Sequence, residues 1–247
     1  MPESLCFSVY LSTFEKQKKM LEEHAGHGVP VFLSLHIKEE IDDTYCQKVK
    51  EICRWLCERQ YRIIADISPV TLKQFNSCDG NVDSVSVKEL AERLNIYAVR
   101  LDYGFSDEQI IEIGRNMPVV LNASTLDAEK GRAIKKSCKN VLAMHNFYPR
   151  PETGLDEDYF CSTTQKLQEI GIKVLAFIPG NMFLRGPIFE RLPTLERHRN
   201  VPPSVAFAEF ALLYNADGIF LGDGGISNYE YNINHTCKIV NLNFHAI

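Results

Sequence analysis

Val141-Leu142-Ala143-Met144-His145-Asn146-Phe147-Tyr148-Pro149-Arg150-Pro151-Glu152-Thr153-Gly154-Leu155 holds the decisive change of pattern in this sequence. A short, unbroken apolar run reads as a strand buried on both faces. It passes directly into a loop rich in functional groups and stiffened by prolines. An imidazole, an amide, a guanidinium and a carboxylate crowd into that loop, a mixture that no secondary-structure preference requires.

Working outward, the same kind of run recurs at Leu5–Leu11, Val29–Leu35, Tyr61–Ile67, Tyr97–Leu101, Pro118–Leu121, Lys173–Ile178 and Asp217–Leu221. Segments of helical period lie between the runs. After the second, Tyr45, Val49, Ile52, Cys53 and Leu56 fall on one face of a helix. Ser106-Asp107-Glu108-Gln109 is a capping-box sequence, and Ser204 is expected to start a helix over Val205–Leu213. Eight buried strands alternating with helices predict a (β/α)₈ TIM barrel of class α/β over residues 1–227. A doubly wound sheet would carry a glycine-rich loop after its first strand, where this chain has Ser12-Thr13-Phe14. Residues 228–247 fit no element; they read as an unassigned tail or as the start of a second domain.

Composition narrows the function. The 247 residues are 45% hydrophobic with a net charge of −5, which excludes a broadly basic nucleic-acid surface. No apolar run is long enough for a membrane span, and the N-terminus lacks the pattern of a secretory signal, so a cytosolic protein is expected. The 8 cysteines contain no CxxC pair and read as free thiols. No metal and no cofactor are expected: Cys53 and Cys57 lack further ligands, although His36, His145, Asp66 and Asp223 could converge.

In a barrel of this class the site lies where the strands end. The polar residues closing the runs are His36, Asp66 and Ser68, Asp102 and Tyr103, Asn122 and Ser124, His145 and Asn146, and Asp223. Asp102, which follows Leu101, taken to point inward, is the foremost catalytic candidate; Glu152 and Asp66 follow. A barrel-rim Asp102 held by Arg100 is the structural alternative. Two carboxylates across a barrel mouth are what glycoside hydrolysis needs, one to protonate the leaving oxygen and one to attack or to activate water. His145 reads equally as a base or as a buried hydrogen-bonding group. Arg185, beside Gly186 after the seventh strand, and Arg150 suit an anion, unless Arg185 pairs with Glu190 or Glu196.

Several long stretches, SLHIKEE, RLDYGFS, LNAST, HNFYPRPETGL, AFIPG and RGPIFERLPTLERHR, resemble in order the 6-phospho-N-acetylmuramidases, (β/α)₈ proteins long catalogued as outer surface proteins. The resemblance implies a bacterial glycosidase of peptidoglycan recycling, whose partner is a phosphorylated muramyl sugar. This chemistry fits the residues already picked out: Asp102 and Glu152 remain the acid pair, Arg150, Arg185, Asn122 and Asn146 are expected substrate binders, and His36, His145 and Asp223 are further binding candidates. It also implies a cyclophilin-like domain after the barrel, absent from this sequence, so an impaired or inactive homologue stays open beside a non-catalytic phosphosugar-binding barrel. A Schiff-base aldolase would need a lysine inside a strand, and Lys173 only opens one.

Overall fold

The computed structural model describes residues 5–24, 28–35, 37–75, 84–101, 103–138 and 140–234. Strands β1 (Leu5–Val9), β2 (Pro30–Ser34), β3 (Arg62–Ile67), β4 (Ile96–Leu101), β5 (Val119–Asn122), β6 (Val141–Met144), β7 (Lys173–Ile178) and β8 (Gly218–Leu221) pair in parallel in sequence order. β1 pairs with β8, so the sheet is a closed barrel, the (β/α)₈ architecture expected. The sixth and seventh apolar runs match their strands end to end. The first run extends two residues beyond its strand, because the chain turns at Tyr10, whose carbonyl accepts the Thr13 N–H.

The helices are α1 (Phe14–Glu23), α2 (Tyr45–Glu58), α3 (Pro69–Gln74), α4 (Ser84–Arg93), α5 (Asp107–Asn116), α6 (Ala128–Ser137), α7 (Glu157–Glu169) and α8 (Pro203–Leu212). The five apolar residues picked out on α2 are its buried face. Ser106 caps α5 through Gln109 in a complete capping box. Ser204 does not start α8: the helix begins at Pro203, where the fixed φ of proline suits the first helical position and its missing N–H costs no bond. The Ser204 N–H is instead donated to Glu230, in a helical stretch over 228–234 whose Tyr231 ring stacks on His24 at 3.5 Å. Lys238–Phe244, a possible extra strand by sequence, lies outside the described residues. No helix among the described residues is long and apolar enough to cross a membrane.

Alternation of side chains along the strands divides the core into two. Phe32, Ile64, Ala98, Val120, Met144, Phe177 and Phe220 pack inside the barrel. Their neighbours, among them Leu33, Ala65, Val99, Leu121 and Ala143, face the helices. This phase decides which polar residue at each strand end enters the mouth.

Candidate active site

Two residues beyond the inner apolar layer comes the next inward position: Ser34 after Phe32, Asp66 after Ile64, Arg100 after Ala98, Asn146 after Met144. All four line a cleft of about 400 Å³ at the carboxyl ends of the strands, together with Ile37, Glu39, Tyr103, Phe147, Phe177 and Arg185. Its floor is a cluster of rings packed edge to face, with Phe177 5.4 Å from Phe32 and 5.1 Å from Phe147, centroid to centroid. Such an aromatic floor suits the apolar face of a sugar ring.

At the bottom Arg100 donates to Asp66 across 2.9 Å, with both side chains buried. The same guanidinium donates to the Asn146 side-chain oxygen. This orients the Asn146 amide, because an oxygen committed to Arg100 leaves its NH₂ group to face elsewhere. Arg185 enters from the loop after β7, its guanidinium 5.3 Å from the Phe147 ring centroid and 5.6 Å from that of Tyr10. Its Nε–H is donated to the Gly186 carbonyl. Neither Glu190 nor Glu196 pairs with it among the described residues: Glu196 binds Arg199 through both oxygens at 2.6 Å. Arg185 therefore offers its remaining N–H groups to the cleft, in the fork geometry that suits phosphate or carboxylate.

The other predicted residues lie elsewhere. Asp102 and His36 fall outside the described residues. Leu101, expected to point into the barrel, packs outward among the helices, since Ala98 and Arg100 hold the inward phase of β4. His145 also has the outward phase: it is fully buried, its ring nitrogens 3.1 Å from the hydroxyls of Ser124 and Thr164. Burial pushes its pKa down to about 3, so it is a neutral packing group against α7 and does not line the cleft. Asn122 uses its side-chain oxygen on the Ser124 N–H and borders a separate small hollow with Lys130. Glu152 and Arg150 are exposed and absent from the cleft lining. Their backbone serves the loop: the Glu152 N–H goes to Glu196, and the Arg150 carbonyl accepts from Arg199.

Asp223, expected to bind substrate, is fully buried and spends its carboxylate on the backbone N–H groups of Gly180, Arg185 and Leu192 at 2.8, 3.3 and 3.0 Å. Burial raises its pKa, against the pull of those three donors. Among the described residues no group of three His, Cys, Asp or Glu side chains gathers in metal-binding geometry.

Tyr103, named among the residues closing the fourth run, lines the cleft, whereas Glu39, Ser34, Phe147 and a direct lining role for Arg100 were missed. For Ser34 and Arg100 the signal was present in the two-residue period counted forward from Phe32 and Ala98. Glu39 sits in a single 3₁₀ turn, Lys38–Glu40, and Phe147 on the loop after β6, where no strand period applies.

Comparison with known proteins agrees with the barrel fold. A conserved protein of unknown function from Enterococcus faecalis has a solved structure 29% identical, with a TM-score of 0.79 over 95% of this chain and 66% of its own. An uncharacterized Bacillus cereus protein is 26% identical, with a TM-score of 0.75 over 95% of this chain and 65% of its own. The chain thus spans just under two thirds of either relative. Phosphoribosyl anthranilate isomerase from Thermus thermophilus, 11% identical with a TM-score of 0.52, shares the fold. No curated protein matches. The profile described as "6-phospho-N-acetylmuramidase, N-terminal" matches residues 5–234. With nearly the whole barrel inside that match, the chain belongs to the 6-phospho-N-acetylmuramidase N-terminal family.

Proposed function

We propose that this barrel is the catalytic domain of a glycosidase that cleaves 6-phosphorylated N-acetylmuramyl glycosides released during peptidoglycan recycling in the bacterial cytosol. The observation that carries the reading is one cleft holding an anion-seeking guanidinium, Arg185, above an aromatic floor and beside the carboxylates Asp66 and Glu39. The sugar stacks on Phe147, its 6-phosphate meets Arg185, and the amide of Asn146 is aimed at the acyl or lactyl oxygens. Asp66, ion-paired with Arg100, is the carboxylate offered to the anomeric carbon or its attacking water. Asp102, two positions after Arg100 in the sequence and outside the described residues, is the acid for the leaving oxygen. Glu39 is the third carboxylate of the cleft and the alternative acid. Glu152 has no part in this pair.

The test is release of reducing sugar from a 6-phosphorylated N-acetylmuramyl glycoside, run beside the unphosphorylated compound and an Asp102→Asn variant. Cleavage of the phosphorylated compound alone, lost in the variant, is expected. Tight binding of the phosphosugar with no cleavage would replace the glycosidase by a binding barrel; cleavage of both compounds at equal rates would remove the phosphate from the specificity.

A further inference from the structure

The loop after β7 is held against the chain after β8 by a short ladder of contacts. The Asn181 and Met182 N–H groups donate to the Gly225 carbonyl, and the Gly224 N–H donates to that of Phe183. The Asn181 side-chain oxygen accepts the Ser227 N–H. At the centre sits Asp223, with no exposure to solvent. One of its oxygens, Oδ2, takes the N–H groups of Gly180 and Leu192 and so ties the two ends of the loop. The other, Oδ1, accepts the N–H of Arg185. The approach is tight on the Gly180 side, where a Cβ would stand 2.6 Å from that of Asp223. Tyr10, whose ring backs the Arg185 guanidinium, donates its hydroxyl to the carbonyl of Gly222, the residue before Asp223.

We propose that Asp223 is the positioning residue for Arg185: by holding that residue's N–H on Oδ1 it sets where the guanidinium stands, and so gives the cleft its preference for a phosphorylated over an unphosphorylated sugar. Asp223 does this without touching the ligand. The inference rests on the reading of Arg185 as the phosphate clamp. Its chemistry is specific enough to break selectively. In Asp223→Asn the amide oxygen best replaces Oδ2, which serves two donors, and the NH₂ then confronts the Arg185 N–H, donor against donor. The loop ends stay tied while the Arg185 contact is lost.

Calorimetric titration with N-acetylmuramic acid 6-phosphate and with N-acetylmuramic acid tests this on the wild type, Arg185→Ala, Asp223→Asn and the double variant. Arg185→Ala is expected to lose about tenfold or more in affinity for the phosphorylated sugar, the scale of a charge-assisted guanidinium contact. Asp223→Asn is expected to share that loss, with affinity for the unphosphorylated sugar held within about twofold and the double variant no weaker than Arg185→Ala, as for two residues acting through one contact. Unchanged phosphosugar affinity in Asp223→Asn, beside a loss in Arg185→Ala, overturns the positioning role and leaves the clamp standing. Equal weakening for both sugars overturns it in favour of general loosening. Retained affinity in Arg185→Ala overturns the clamp itself and this inference with it. Asp223→Glu, which keeps the charge but cannot keep Oδ1 in place, is read by the same comparisons if the Asn variant melts below the assay temperature.

Discussion

Replacing Asp66 by Asn would remove the negative side of its buried ion pair with Arg100. Breaking a buried ion pair from one side costs about 3–5 kcal/mol, so a large drop in the urea midpoint is expected along with loss of turnover. Arg100→Met together with Asp66→Leu removes both charges and should recover much of that stability while leaving the protein inactive; a double variant as unstable as Asp66→Asn would show that the pair is not what the single change disturbs. Among the acids the expected contrast is sharp. Asp102→Asn abolishes turnover, whereas Glu152→Gln, on an exposed residue held through its backbone, keeps kcat within about twofold because it removes no transition-state contact. Equal losses in the two variants would return Glu152 to the acid pair.

At the scale of elements, the loops after β6 and β7 act as one body because Arg199 gathers them. Its guanidinium donates to the carbonyls of Tyr148, Arg150, Glu190 and Arg191 and to the Glu196 carboxylate. Glu196 in turn accepts the N–H groups of Glu152 and Gly154. The pairing with Arg199 and these backbone donors hold the Glu196 pKa down at about 2. A methyl group at Gly154 would stand 2.7 Å from the Glu196 nitrogen and 2.8 Å from its Cα, backbone that cannot swing aside. Gly154→Ala is therefore expected to cost about 1–3 kcal/mol, as overpacking does, and to raise KM by displacing Phe147. Ser106→Ala, by contrast, removes an exposed cap at the start of α5 and should cost about 1 kcal/mol with KM unchanged, since Ser106 does not line the cleft. Thermal melts and KM measured on both variants separate the loop effect from simple destabilisation.

For the whole molecule, buried titratable groups set how stability follows pH. The His145 pKa is lowered from 6.5 to about 3, and burial lowers that of His198 as well. The unfolded chain thus binds protons below pH 6.5 that the native state refuses, and stability falls as pH falls through this window. Glu196, lowered from 4.5 to about 2, adds to the loss below pH 4.5. Asp223 has the opposite sign: its raised pKa means that the native state takes up its proton first and gains stability as that proton binds. The urea midpoint is expected to drop between pH 7.5 and pH 5.5, and the drop should shrink in His145→Gln. A pH slope unchanged by that substitution would exclude His145 as a source.

By itself the sequence determined the barrel, the alternation of strand and helix, the buried face of α2 and the cap at Ser106. Each of these is written within a few residues, by hydrophobic period or by a side chain reaching its own backbone. Only the tertiary structure decided which polar residue enters the mouth. His145 and Asn146 are adjacent and equally plausible in sequence, yet the phase set by packing Met144 inside the barrel turns Asn146 into the cleft and His145 against α7. Asp223 and Arg199 were likewise unreadable as clasps. Their partners lie far away in the chain, Arg185 for one and Tyr148 for the other, and meet them only once the barrel has closed and buried charges must find backbone groups to satisfy them.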